Sequence, residues 1–177
     1  MSFNGSSAIC LECGLCCNGA IFARGELRSG DDAERLAALG LSLARQNYSL
    51  SGNRKFHQPC AAFENGCCRI YSERPEYCRA FECALLKKVN AGELEISAAL
   101  RIIRSARRRA DKVKRLLRKL GDTDEHVALS ARVRRTIRRA ESNISNDKTA
   151  GLFGELTLAN HALNILLSEK FYPGSND

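Results

Sequence analysis

Eight residues near the start of the chain, Cys10-Leu-Glu-Cys13-Gly-Leu-Cys16-Cys17, carry four thiols in a C-x2-C-x2-C-C run. A segment this short buries no core, so its sulfurs must serve something other than packing. The run has a counterpart in Cys60, Cys67, Cys68, Cys78 and Cys83, and the two stretches together hold all 9 cysteines of the 177 residues. Whatever those sulfurs bind has to be what the front of the chain folds around, with the remainder supporting or using it.

Compartment decides which chemistry is available to them. The opening Met-Ser-Phe-Asn-Gly-Ser-Ser has neither a basic region nor an apolar one, and no apolar run is long enough to span a membrane. A cytoplasmic location is therefore expected. Thiols stay reduced there, and an odd number of cysteines would leave a disulfide framework with an orphan, so the clusters point to metal. The thiolate is the ligand, and zinc or iron repays its deprotonation.

A spacing of two residues lets one turn offer two sulfurs to one ion, so Cys10, Cys13 and Cys16 read as a ladder. The adjacent Cys17 must point elsewhere and is a natural bridge to a second ion or cluster. Eight thiolates suit two four-sulfur sites or one multinuclear cluster. Either arrangement leaves surplus negative charge, and Arg69, Arg74 and Arg79 are the expected suppliers of compensation, Arg74 and Arg79 having salt bridges to Glu73, Glu76 or Glu82 as their other credible role. Tyr71 is expected to pack over the cluster. His57, three residues from Cys60, is a further ligand candidate, and His126 and His161 fall on helices as surface or packing residues.

Between the sulfur stretches, Gly19, Gly25 and Gly30 mark a turn-rich connector with room for a brief strand. Ser29 or Asp31 caps a helix through Ala33, Leu36, Ala37 and Leu39, ending near Gly40 or running on to Asn47. Tyr48 to Gln58 reads as loop. Asn65-Gly66 predicts a tight turn and Arg69-Ile70-Tyr71 a short extended piece, while Pro75 opens a helix at its first position.

The second half has a stronger rhythm. Ala99, Ile103, Ala106, Ala110, Val113, Leu117 and Leu120 recur at steps of four and three, the seam of a helix packed on another helix. Gly121 stops it, Asp122-x-x-Glu125 reads as a capping box, and Leu129, Val133, Ile137 and Ala140 continue the spacing in a second helix. The two are expected to form an antiparallel hairpin. After a polar break over Asn143 to Asp147, a last helix runs from about Leu156 to Phe171, before Pro173-Gly174.

The C-x2-C-x2-C-C run, followed by Pro59-Cys60, Cys68-Arg69-Ile70-Tyr71, Arg74-Pro75 and Cys78-Arg79-Ala80-Phe81-Glu82-Cys83, resembles the YkgJ-type cysteine-cluster family of zinc- or iron-chelating domains. The likeness covers roughly residues 10 to 83. It implies eight metal-facing cysteines, Cys10, Cys13, Cys16, Cys17, Cys60, Cys68, Cys78 and Cys83, with Cys67 as an extra thiol. Part of the wider family is similar to flagellin lysine methylases, but no Gly-rich strand-to-helix turn for a nucleotide cofactor is visible here.

Charge supplies the competing reading. From Ala84 to Ala140 there are 17 Lys and Arg against 6 Asp and Glu, so this block carries all the basic character of a chain with net charge +8. Arg107-Arg108-Arg109 and Arg134-Arg135 with Arg138-Arg139 invite a nucleic-acid reading, although aromatics that would stack on bases are missing from the block.

The expectation is a mainly α protein: an irregular, cysteine-rich metal-binding unit over residues 1–90, then a basic, three-helix region over 91–177 packing on it. Its function reads as cytoplasmic chelation of zinc or iron, an iron–sulfur cluster included, for storage, sensing or delivery. The alternatives are an adaptor for nucleic acid or an acidic protein, with a purely structural metal, and an iron–sulfur enzyme related to lysine N-methylases. No catalytic residue is nominated, and no membrane partner is expected.

Overall fold

The computed structural model describes residues 5–44, 54–141 and 147–172. Its elements are α1 (Gly5–Cys13), β1 (Arg24–Glu26), α2 (Ala33–Ala38), β2 (Lys55–His57), β3 (Phe63–Glu64), β4 (Cys67–Cys68), a 3-10 turn (Tyr71–Glu73), α3 (Glu76–Ala80), α4 (Ala84–Asn90), α5 (Ile96–Lys119), α6 (Leu129–Glu141) and α7 (Asp147–Lys170). The protein is mainly helical, with an irregular N-terminal region and a helical C-terminal half. Among the described residues no helix is long and apolar enough to cross a membrane.

α5 organises the helical half. Its seam residues Ala99, Ile103, Ala106, Ala110, Val113 and Leu117 are buried together with Leu116, as a stripe at three- and four-residue steps requires. Gly121, at φ +82°, ends it after Lys119. α5 packs most extensively on α7 and next on α1, while α6 touches it less, so the expected α5–α6 hairpin is not the main contact. α7 is longer than its periodicity suggested. The polar break before it and Pro173-Gly174 after it lie largely or wholly outside the described residues.

The link between α5 and α6 corrects a second expectation. Asp122 does not open a helix as a capping box, for α6 begins only at Leu129. Instead its buried carboxylate receives Arg132 Nε at 2.9 Å and Arg135 Nη2 at 2.7 Å, while Glu125 pairs with Arg118. Two arginines one turn apart on α6 compete successfully for the carboxylate because its position next to the helix leaves both within reach.

The front half is built from short pieces. α1 was not anticipated. Its end places Cys10 and Cys13 on a helix, and Ile9 and Leu15, fully buried beside the sulfurs, seat the run on the helical core. Gly14 turns the chain out of α1 at φ +61°, and a side chain there would meet the Phe63 ring at 2.4 Å. β1 pairs antiparallel with β2 in a stretch whose sequence reads as loop. Three residues per strand are too few for alternation to register, and the pairing comes from distant parts of the chain.

Asn65 and Gly66, both at positive φ, join β3 to β4 as expected of a tight hairpin. Arg69-Ile70-Tyr71 is not extended: Arg69 and Ile70 form a turn and Tyr71 opens the 3-10 turn. Asp32, not Ser29 or Asp31, caps α2. Asp31 takes a longer-range role, accepting the backbone N–H of Glu76 at the start of α3. α2 ends at Ala38 with Gly40 at φ +93°, and Asn47 lies outside the described residues.

Candidate metal centre

Two hydrophobic clusters meet at the cysteines. The larger joins Ile9, Leu15 and Leu85 to α5, α6 and α7, with Cys13 and Cys83 packed against it. The smaller consists of Leu27, Leu36, Leu41, Phe56, Ala62 and Ile70, with Cys60, Cys68 and Cys78 packed against it. A cavity of about 110 Å³ is lined by residues of both clusters and by Cys10, Cys13, Cys16, Cys17, Cys60, Cys68, Cys78 and Cys83. The two sulfur stretches are tied directly by the backbone, Cys60 N–H donating to the Cys17 carbonyl at 2.8 Å.

Burial is the largest influence on several of these thiols and pushes them up: Cys13, Cys17 and Cys78 to about 12, and Cys16 well above its usual range. The second influence is sulfur on sulfur, and it falls into two groups. Cys10 feels Cys83, and Cys13 feels Cys83 and Cys10; Cys16 feels all three besides its neighbour Cys17. Cys17 feels Cys60, Cys68 and Cys78, and Cys78 feels Cys60 and Cys68. Among the described residues, no three Cys, His, Asp or Glu side chains already stand at a spacing that would hold one ion. The donors are all sulfur, unpaired as thiols and gathered around one cavity, which is the chemistry that zinc and iron–sulfur centres use.

The cations sort differently from expectation. Arg74 lines the cavity, its Nε donating to the Tyr71 carbonyl at 2.9 Å and its guanidinium 3.6 Å over the Tyr71 ring. It lowers Cys10, Cys17 and Cys78, so one cation serves both sulfur groups. Tyr71 also lines the cavity. Arg69 pairs with Glu64 and lowers Cys60, while Arg79 is exposed and stands outside the lining. Of the acidic partners considered for the arginines, Glu73 pairs with Arg35, Glu76 with Arg28, and Glu82 accepts from Asn90.

Sequence reasoning missed Arg107. From the basic block it reaches back to donate to the Glu12 carbonyl at 2.9 Å, at the end of α1, and it lowers Cys13. A contact 95 residues distant leaves no local signal. Cys83 caps α4, its sulfur accepting the Leu86 N–H at 3.4 Å. Cys67 is exposed on β4 and outside the cavity lining, and His57, His126 and His161 are exposed and outside it as well.

The CxxCxxCC family model, described as a “putative zinc- or iron-chelating domain”, matches residues 9–100. The chain belongs to that family, and metal binding follows from membership. Neither a curated protein nor a solved structure matches the chain.

Proposed function

We propose that the protein chelates two metal ions, zinc in preference to iron, in two adjacent four-cysteine sites: Cys10, Cys13, Cys16 and Cys83 in one, Cys17, Cys60, Cys68 and Cys78 in the other. The observation that carries this reading is the partition of the eight cavity-lining sulfurs. Apart from the chain-adjacent pair Cys16 and Cys17, mutual electrostatic influence divides them four and four, and packing on the two hydrophobic clusters divides Cys13 and Cys83 from Cys60, Cys68 and Cys78 in the same way. Cys16 and Cys17 then serve different ions, as adjacent side chains pointing apart would.

Binding draws each quartet inward and displaces thiol protons, which burial otherwise retains on Cys13, Cys16, Cys17 and Cys78. Arg74, beside both quartets, offsets the charge that eight thiolates leave. Four sulfurs close the coordination of each ion and leave no position for a substrate, so the role is to hold metal rather than to catalyse with it. Zinc is favoured because two tetrahedral sites of four sulfurs each are its ordinary structural coordination. In this reading residues 1–90 are the chelating unit, residues 91–177 are its support, and the protein works in a reducing compartment such as the cytoplasm.

Elemental analysis of protein purified without oxygen or chelators tests it. Two zinc per chain and no visible colour are expected, and a brown sample with charge-transfer absorption would overturn the zinc assignment. Cys17→Ser and Cys16→Ser are each expected to lose one ion and keep the other. Loss of both ions from either variant would show a single shared cluster instead.

A further inference from the structure

The structure divides the cations of the basic block into two sets. Several are consumed inside the fold: Arg107 on the Glu12 carbonyl, Arg109 on the Ala162 carbonyl, Arg118 on Glu125, and Arg132 and Arg135 on Asp122. Of the remainder on α5, Lys114 is half-buried, while Arg101, Arg104, Arg108, Arg115 and Lys119 are all exposed and without an acceptor among the described residues. Lys112 lies in line with them and pairs with exposed Glu155.

These six follow one another at steps of three and four residues. At the helical repeat they fall within about 80° of one another, on the side of α5 opposite its buried seam. The stripe runs about 27 Å from Arg101 to Lys119 at 1.5 Å per residue. Like charges at these steps repel and cost the helix stability, a cost that an external polyanion would remove.

The make-up of the stripe selects among polyanions. It carries no apolar side chain, which argues against an acidic protein interface with a dry centre and against a lipid surface into which a helix inserts. α5 has no aromatic residue at all, which removes the stacking platform that single strands use. Five unpaired, mostly guanidinium charges on a rigid rod match phosphates of a duplex, whose charge density is fixed along its axis.

We propose that the exposed face of α5 binds the phosphate backbone of double-stranded nucleic acid without reading its sequence. The interaction stands apart from the metal centre, since none of the five cations lines the cysteine cavity.

Titration of a fluorescent DNA duplex with the full chain across a salt series tests this. Five phosphate contacts give a slope of log affinity against log salt of roughly −4 to −5. The triple variant Arg104→Ala, Arg108→Ala, Arg115→Ala is expected to bind at least about tenfold more weakly near physiological salt, with the slope reduced by about three. Lys87→Ala, Lys88→Ala, Lys170→Ala removes the same charge from exposed sites off the stripe and is expected to change affinity far less. Equal losses in the two variants would reduce the effect to net charge and overturn the proposal. So would no binding by the unaltered chain at low salt, tighter binding of a single strand than of the duplex, or equally effective displacement by polyglutamate. Helicity and metal content, measured on each variant, separate a failure of this surface from a failure of the fold or of the metal centre.

Discussion

The larger hydrophobic cluster buries 18 residues drawn from both ends of the chain, whereas the smaller one buries 6, all from the irregular front half. Burial at about 25 cal/mol per Å² stabilises in proportion to the apolar area removed from water, so the first region can hold its shape through packing alone. The second is a patchwork of strands two or three residues long, helices of five and six residues and turns. A few apolar contacts cannot offset the conformational entropy of ordering so much irregular backbone. The contrast assigns different glue to the two regions, hydrocarbon for α5 to α7 and metal–sulfur bonds for the segments around Cys60 to Cys83. Leu15, buried in the large cluster between Cys13 and Cys16, is where the two meet.

Removing metal should test this contrast most severely. Structural zinc supplies on the order of 10 kcal/mol or more of folding free energy in small domains. Chelation should therefore abolish amide-exchange protection in β3–β4 and α3 while α5 and α7 keep theirs. Protection that persists across both regions without metal would mean that the small cluster stands unaided.

Asp122→Ala should strike the large region alone. It strands buried Arg132 without its counter-charge, a change that costs about 3–5 kcal/mol, and denaturant unfolding should show it with metal content unchanged. Acid should act through the same carboxyl. Burial pushes Asp122 up, but hydrogen bonds from Arg135 and Arg132 outweigh it and hold the group below its ordinary 3.8. Its contribution is thus complete above about pH 4 and lost as pH falls through the lower folded value, which thermal melts of the wild type and of Asp122→Ala should show as convergence at low pH.

Leu15→Ala should cost about 2–5 kcal/mol and is expected to loosen the metal held near Cys13 and Cys16 at the same time. A stability loss with full metal retention would show that the regions are not coupled there. The smallest effect belongs to Cys67→Ser: an exposed side chain outside the cavity should change stability by less than about 0.5 kcal/mol and leave metal content untouched.

Much of the helical half was legible because periodicity survives over long elements. The steps from Ala99 to Leu117 identified the α5 seam, and Gly121 identified its end. Asn65-Gly66 announced its hairpin for a similarly local reason, since both residues tolerate positive φ. The eight cavity-lining sulfurs were nominated from spacing and family likeness, and the structure places them around one space. Illegible were β2 and its pairing with the brief strand expected in the connector, since the partners lie some thirty residues apart, and the capping of α3 by Asp31. Asp122 misled because a capping-box pattern and an ion-pair acceptor look the same until the next helix is placed.

By itself, the sequence determined that sulfur chemistry governs the first half, that a heptad-like seam governs the second, and that positive charge concentrates in the latter. These are properties of residue type and local spacing, which no folding is needed to read. Only the tertiary structure decided which sulfurs neighbour which, that Arg74 serves both groups, and which arginines are spent on carbonyls and carboxylates while others along α5 have no acceptor among the described residues. Those are contacts between residues far apart in the chain, and their partners are selected by the packing of elements, for which a linear pattern carries no distance.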